Sequence, residues 1–458
     1  VKLKTAVIGG GISGLTTAYL LQQKGIDVKL FEKNTFPGGN IRTEKIDGYL
    51  IEHGPNSTLE TTPLINTLLE SLGIIDRKIY ASESAKIRYI LKNGKLLALP
   101  MSSFAFLMTK LFSASAKLRL LKEPFIKSKS NELETIAEFT ERRLGREFLD
   151  YAINPFVAGV FAGDPENLNV KAAFPKLYEL EQKYGSLIKG QLKSRKERKS
   201  RKEESKQSAK TFSFIGGLKE LVDAIYTNIK GNVFLETTVT RINKNNNKYE
   251  ITYSIDGNVK SETFDSLVLA SPAKSAGCLL EQICTSVAKE ISAIYYPPVA
   301  VILTGFKKEV LGFIPDGFGF LIPGVEKRKI LGSLWTSVIF PYRAPEGSYL
   351  LTNFIGGARQ PELFGKSDAE LEEIVLSELK ELMGVKGSPD FVKIIRWPEA
   401  IPQYSRNHAL LTDKLEKLQE ETAGLFICSN YFKGISVCDC IKNAFATAEK
   451  IEDYSKNV

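Results

Sequence analysis

The residues of this chain best able to do chemistry are a run of glycines and one acid near its start. Gly9-Gly10-Gly11-Ile12-Ser13-Gly14 fits G-x-G-x-x-G and directly follows the apolar run Lys4-Thr5-Ala6-Val7-Ile8. Glu32 ends a second apolar run, Val28-Lys29-Leu30-Phe31, 23 positions after Gly9. The glycines serve different ends. Gly9 permits a tight turn, Gly11 lets backbone approach a pyrophosphate, and Gly14 lets a helix lie against a strand. The N-terminus of that helix, with Ile12 and Ser13 in its first turn, offers unpaired N–H groups and a positive dipole end to phosphate. Glu32 can accept hydrogen bonds from both ribose hydroxyls, and its charge disfavours a 2′-phosphate. Together these residues predict a dinucleotide site.

The elements that position them follow from periodicity. Leu15, Ala18, Leu20 and Leu21 recur at helical spacing, and Gly25 stops the helix. In the middle of the chain, Phe214 to Leu218 leads a helix through Leu221 and Ile225. Val233 to Val239 and Leu267 to Pro272 then read as strands, the second carrying Ala270. Near the end, Leu425-Phe426-Ile427-Cys428 reads as a buried strand and Gly434 to Asp439 as a turn. A helix with apolar face Ile441, Ala444, Phe445, Ala448 and Ile451 follows, with Ser436 and Val437 at its start. A loop before a helix N-terminus suits a ring edge that gathers negative charge.

Other chemistries lack material. There are two histidines, His53 and His408, and five cysteines without a Cys-x-x-Cys pair, so neither a zinc site nor a disulfide framework is expected. Redox chemistry is then left to an organic cofactor. Cys438 and Cys440 are read as small buried hydrophobes.

Pro37-Gly38-Gly39-Asn40-Ile41-Arg42 adds a second glycine pair and an arginine soon after Glu32. This resembles the second signature of the flavin amine oxidase superfamily, and His53-Gly54-Pro55-Asn56 continues the resemblance. It implies FAD as cofactor. It also implies a binding set of Gly9, Gly11, Ile12, Ser13, Gly14, Glu32, Lys33, Gly38, Gly39, Asn40, Arg42, Gly54, Pro55, Asn56, Val239, Ala270, Ser436 and Val437. His53 is read as a packed histidine rather than a base.

Four stretches narrow the match. They are Lys86-Ile87-Arg88-Tyr89-Ile90 with Asn93-Gly94-Lys95-Leu96, and Asn154-Pro155-Phe156-Val157-Ala158-Gly159 continuing to Asp164. The third is Phe318 to Pro323 with Leu331 to Leu334 and Phe354 to Gly357, and the fourth is Trp397-Pro398-Glu399-Ala400-Ile401-Pro402-Gln403-Tyr404. The chain resembles the protoporphyrinogen oxidase family over nearly its whole length. The resemblance implies that Arg88 pairs with a substrate propionate. It implies too that Leu321, Leu334 and Phe354 hold the flat macrocycle, and that the Gly159 carbonyl faces the pyrrole N–H groups. It further implies three successive two-electron oxidations, with dioxygen reoxidising the flavin to give hydrogen peroxide. On residue pattern alone the three apolar residues read equally well as core.

The net charge is +9, and Lys189 to Lys210 holds ten basic residues against three acidic ones. The remainder is nearly neutral, which argues against a nucleic-acid surface. The run reads as a solvated loop or as a contact for anionic headgroups. From Leu96 to Leu121, Leu99, Met101, Phe104, Leu107, Met108, Leu111 and Phe112 mix with Lys110, Lys117 and Arg119, as in helices lying in a membrane interface. No stretch approaches the ~18 apolar residues of a span. The expectation is a chain without a leader, at the cytoplasmic side of a membrane, with a homodimer and a hand-off to ferrochelatase as further possibilities.

The expected architecture is α/β: a split Rossmann-like FAD-binding domain of the p-hydroxybenzoate hydroxylase and amine oxidase type, a mixed-sheet substrate domain and a helical membrane-associating insertion. The divisions are 1–85, 211–275 and 421–458 for the FAD domain, 86–210 for the insertion and 276–420 for the substrate domain. Protoporphyrinogen IX is the expected substrate. Coproporphyrinogen III is the nearest alternative, and its four carboxylates would call for more cations than Arg88. An amine oxidase or carotenoid desaturase comes next, although no cysteine stands near Tyr431 in a covalent-flavin context. A non-catalytic Rab-escort-type binding protein is the last, disfavoured by the intact fingerprint with Glu32.

Overall fold

In the computed structural model, which describes residues 3–127, 129–193 and 209–457, five short parallel strands from three distant parts of the chain form one sheet. Their order is Val233–Phe234, Asp27–Phe31, Lys4–Ile8, Ser266–Leu269, Leu425–Ile427. The interior positions of these runs are mostly apolar because both faces are covered, and alternate side chains go to opposite layers. Val7, Val268 and Phe426 join the helices Ile12–Gln23, Lys219–Ile229 and Val437–Ser455. Ile8, Leu269 and Ile427 join an antiparallel meander, Thr238–Asn245, Lys248–Ile255 and Asn258–Phe264, and the helices Ala273–Leu280 and His408–Glu421. The expected strand from Val233 to Val239 is broken. Glu236 takes a positive φ of 51°, where the chain leaves the parallel sheet to start the meander.

A second, mixed sheet has seven strands in the order Phe391–Trp397, Val299–Lys307, Ser348–Gly356, Gly332–Leu334, Gly319–Leu321, Tyr89–Lys92, Lys95–Ala98. Its back face, with Phe320, Trp335, Leu351 and Ile355, packs on the helix Asp368–Met383. The divisions drawn from sequence shift accordingly. The Tyr89–Ala98 hairpin, assigned to the insertion, pairs into this sheet, because Phe320 and Leu321 run parallel to Tyr89 and Ile90. The helices Ala273–Leu280, Thr285–Ser292 and His408–Glu421, assigned mostly or wholly to the substrate domain, bury their apolar faces on the nucleotide sheet.

The insertion is helical, and charge holds part of it together. Buried Arg143 meets the carboxylates of Glu181 and Glu123, and Arg142 makes two parallel 2.7 Å bonds to Glu134. The helices Ser103–Met108 and Ala114–Leu121 expose Phe104, Leu107, Met108, Leu118 and Leu121, and Phe125 just beyond is 79% exposed. Lys117 and Arg119 do not reach outward as expected. Lys117 donates to the Leu107 and Thr109 carbonyls that end the preceding helix, and Arg119 to the Arg142 carbonyl. Lys110 and Lys122 are exposed. Among the described residues no helix is long and apolar enough to cross a membrane. Most of the basic run Lys189–Lys210 lies outside the described residues.

His408 is buried, stacked on Tyr404 with ring centres 4.1 Å apart, and its Nε2 meets the Tyr431 carbonyl at 2.8 Å. Burial pushes its pKa down to about 4. An unfolded imidazole takes up a proton near pH 6.5, so between pH 6.5 and 4 the unfolded chain binds a proton that the folded one refuses. Stability should therefore fall as pH drops through that window, by up to about 3 kcal/mol from this group. Melting temperatures of the wild type and His408→Gln should diverge in pH slope between 4 and 6.5 and run parallel above 7.

Candidate cofactor and substrate site

The nucleotide end of the site is made of backbone. A Cβ on Gly14 would lie 2.0 Å from the Gly9 carbonyl oxygen, and one on Gly9 would meet the Ala270 backbone at 2.8 Å. First helix, first strand and Ala270, just past the strand Ser266–Leu269, thus touch through glycine. The second glycine pair comes against the first: the Gly38 N–H donates to the Gly10 carbonyl at 2.7 Å, and Gly11 bridges Gly38. Gly38 and Gly39 both have positive φ, 108° and 59°, which a side chain would strain. A Cβ on Gly54 would strike the Asn40 carbonyl at 2.3 Å, so Gly54-Pro55-Asn56 continues the same backbone surface.

In the middle of this surface, a Cβ on Gly11 would meet nothing within 4 Å. The helix starting at Ile12 has no side-chain cap and no acid in its first turn, so its N–H groups and dipole are free for an anion. Glu32 is buried, accepts from the Gly10 N–H at 2.7 Å, and is joined through its own backbone to Phe234 and Thr237. Val239 stands two residues past Thr237. Arg42 lies over the Phe36 ring at 4.0 Å, and burial lowers its pKa while Glu32 opposes the shift. The side-chain oxygens of Asn56 and Ser271 are buried without a partner among the described residues. Ser436 caps the last helix through the Asp439 N–H, and Ser13 of the first helix reaches the Cys440 thiol of the last. Lys33 and Asn40 are exposed beside this surface. An open cradle at Gly11, an uncapped helix end and unpaired oxygens at Asn56 and Ser271 fit an adenine dinucleotide. His53 stands outside it: its ring meets Glu44 at 3.0 Å, and its carbonyl accepts from the Trp397 indole.

The residues that the resemblance assigned to substrate lie on the front face of the seven-stranded sheet. Ladder pairs put Leu321 beside Ile90 and Gly332, Gly332 beside Phe354, and Leu334 beside Gly319 and Thr352. With side chains alternating, Leu321, Leu334 and Phe354 share one face, and Arg88, two residues before Ile90, joins them. These three are the partly exposed members of otherwise buried stretches, which the sequence pattern alone could not separate from core. Arg88 lies over Phe318 at 5.0 Å. Its Nε is buried with no hydrogen-bond partner, and burial lowers its pKa.

Over this face lies the helix Asn154–Phe161, entered through a π-helical turn, Leu149–Ile153, a form frequent at functional sites. A Cβ on Gly159 would sit 2.8 Å from Leu321 Cδ2, so Gly159 brings helix and sheet together. Its carbonyl is among the helix's last four, and the amides of the following turn go to Val157 instead. Phe156 and Val160 are exposed on either side of it. Sequence reasoning missed these two, although their i, i+4 spacing, with Gly159 at i+3, puts them on one face of a helical wheel. It also missed Gln403, whose amide donates to the Phe161 carbonyl at 2.8 Å and ties the distinctive Trp397–Tyr404 stretch to the end of the helix.

A nucleotide sheet with two glycine crossings, joined to an apolar sheet face with a guanidinium unpaired among the described residues, defines a flavin-dependent oxidoreductase. Residues 12–451 match the flavin containing amine oxidoreductase family, and the chain belongs to that family. It is 32% identical over 495 residues to the mitochondrial protoporphyrinogen oxidase of Nicotiana tabacum, covering 99% of this chain and 96% of that protein. It is 29% identical over 470 residues to the coproporphyrinogen III oxidase of Bacillus subtilis, covering 99% and 98%. In fold it resembles a candidate protoporphyrinogen oxidase from Exiguobacterium, with TM-score 0.80, 23% identity and 99% of each chain covered. FAD is the cofactor, as the resemblance to the flavin amine oxidase superfamily implied.

Two glycines should separate folding from binding. Gly11→Val should leave the melting temperature of FAD-free protein unchanged while weakening FAD binding at least about tenfold, since its side chain fills the space of the phosphates. Gly14→Val, set against the Gly9 carbonyl, should lower stability by about 1–3 kcal/mol or prevent folding. Flavin fluorescence titration and thermal melts of the two proteins report both outcomes.

Proposed function

We propose that this protein oxidises a porphyrinogen to a porphyrin, with protoporphyrinogen IX as substrate and dioxygen as the final acceptor, in heme biosynthesis. The observation that carries the reading is Arg88, a guanidinium with no acidic partner among the described residues, at the edge of an apolar face. Such a group asks for a carboxylate, and the flat apolar area beside it asks for a ring. FAD, when bound, supplies the two-electron acceptor. The chain's own residues bind and orient: Arg88 holds one propionate, Leu321, Leu334 and Phe354 hold the macrocycle, and Gly159 offers a carbonyl to its N–H groups. The full-length likeness to the coproporphyrinogen III oxidase of Bacillus subtilis supports a second substrate reading, so turnover of both porphyrinogens, followed by porphyrin fluorescence, is the deciding assay. Turnover of neither would end the proposal.

Arg88→Ala should lose a charge-assisted contact of roughly 1.5–3 kcal/mol. kcat/KM should then fall about tenfold to a hundredfold, mainly through KM, with flavin content unchanged. Arg88→Lys should recover part, keeping the charge and losing the fork. An Arg88→Ala enzyme with wild-type kinetics would remove Arg88 from the site.

We propose further that the protein sits on a membrane surface through Phe104, Leu107, Leu118 and Phe125. Their exposure beside Lys110 and Lys122 supports this, since apolar side chains enter the acyl boundary while lysines meet headgroups. Phe104→Asp with Leu107→Asp should cut co-sedimentation with vesicles containing phosphatidylserine about tenfold or more, leaving activity in detergent intact. Undiminished co-sedimentation would discard this surface.

A further inference from the structure

The helix over the substrate face is held at both ends by side chains from elsewhere. At its C-terminal end, Gln403 donates to the Phe161 carbonyl at 2.8 Å and the Ala358 N–H to the Ala162 carbonyl at 2.7 Å. At its N-terminal end stands Arg359, just past the Phe354 strand. Its Nη1 donates to Asn154 Oδ1 at 2.7 Å and its Nη2 to the Ile322 carbonyl at 3.0 Å, while the Gly324 N–H meets the same Asn154 oxygen at 2.8 Å. One guanidinium therefore bridges the first residue of the helix and the end of the strand that carries Leu321.

The electrostatics are unusual for a group that only packs. Among the described residues no carboxylate lies within ion-pair distance of Arg359, and its pKa is lowered to about 10 by burial, with Asp164 the one charge acting against the shift. A charge withdrawn from water and bonded to neutral oxygens is costly, and a neutral side chain would serve if packing were all that was needed. What a planar fork adds is two donors at fixed spacing, aimed at two different elements. Between the two anchored ends lies Gly159, with no room for a Cβ above Leu321.

We infer that Arg359 is a positioning residue: through Asn154 and Ile322 it sets the gap between the Gly159 helix and the Leu321–Phe354 face, and so the depth at which a flat substrate lies. This rests on the porphyrinogen reading for its kinetic consequence and not for its structural one. It differs from the role of Arg88, which touches substrate, because a wrong gap misaligns a ring that still binds.

The test compares Arg359→Met, Arg359→Lys and Asn154→Ala, each as flavin-loaded protein. In Arg359→Met, hydrogen–deuterium exchange of the amides in 154–161 should quicken about tenfold or more, with the helix Ile12–Gln23 and flavin content unaffected. On porphyrinogen, kcat should fall about tenfold with KM within about threefold, opposite to Arg88→Ala. Arg359→Lys should recover part of both, and Asn154→Ala combined with Arg359→Met should do no more harm than either alone. Unchanged exchange in 154–161, or exchange accelerated equally through the whole protein with kcat per flavin unchanged, would overturn the inference. Should Arg359→Met fail to fold, Asn154→Ala and Arg359→Lys carry the same two readouts. If wild-type protein turns over no porphyrinogen, the functional reading falls and the exchange data still decide the clamp.

Discussion

Gly14 lies so close to the Gly9 carbonyl that a methyl group there would be 2.0 Å from the oxygen, and the rest of the nucleotide half is arranged around that approach. The first helix can descend onto the first strand only because neither carries a side chain at the crossing, and Ala270 from a strand more than 200 residues away completes the contact. The depth of that descent fixes where the helix N-terminus points, and therefore where a pyrophosphate can sit. The Gly38 N–H bonded to Gly10 repeats the device on the other side. Close backbone packing gives rigidity at positions where any side chain would take the cofactor's space.

The two halves must also be held in fixed relation, and a buried ion pair does much of this. Arg343, from the segment before the Phe354 strand, donates to Glu52 of the Thr43–Glu52 hairpin at 2.9 Å and to Ser213 at 2.7 Å. Glu52 also accepts from Thr43 and the Leu218 N–H, yet burial still raises its pKa above the ordinary carboxylate range. Desolvation thus outweighs attraction for this carboxylate, so the pair is a poor source of net stability and a strict one of geometry. Removing either partner would strand a buried charge, which is worth roughly 3–5 kcal/mol. The Glu52 hairpin, the strand of Ser213 and the segment before the Phe354 strand are thus tied at one buried guanidinium.

The nucleotide site was legible in sequence because its demands are local. Gly9, Gly11, Gly14 and Glu32 sit within one strand–helix–strand unit, and each spacing follows from one turn. The grouping of Leu321, Leu334 and Phe354 was suggested only by family resemblance, and the structure puts them on one face, since they come from three strands whose pairing no periodicity reveals. Domain divisions were less legible: the Tyr89–Ala98 hairpin reads as the head of a helical insertion until its parallel pairing with Phe320 and Leu321 is seen. Gln403 and Arg359 were invisible as positioning groups, because what they hold lies 242 and 205 residues away in sequence. Lys117 and Arg119 erred in the other direction. Composition offered them to a membrane, and nearby carbonyls took them.

The same geometry limits what chemistry the chain itself can perform. Neither histidine is free to act as a base: His53 is turned toward Glu44, and His408 is stacked, bonded and held neutral by burial. The front positions Gly319, Leu321, Gly332, Leu334, Thr352 and Phe354 offer no acid or base, and at their edge stand the cations Arg88 and Lys92. Under the porphyrinogen reading, such a face contributes by holding a flat ring at a set distance from the flavin and excluding water, an effect that can account for several kcal/mol of a barrier. Its efficiency then depends on tolerances of a fraction of an ångström, and those are set by Gly159 over Leu321 and by the groups that anchor the helix at each end. That is why buried charge is found at Arg343 and Arg359, where it fixes distances, and not in the middle of the substrate face.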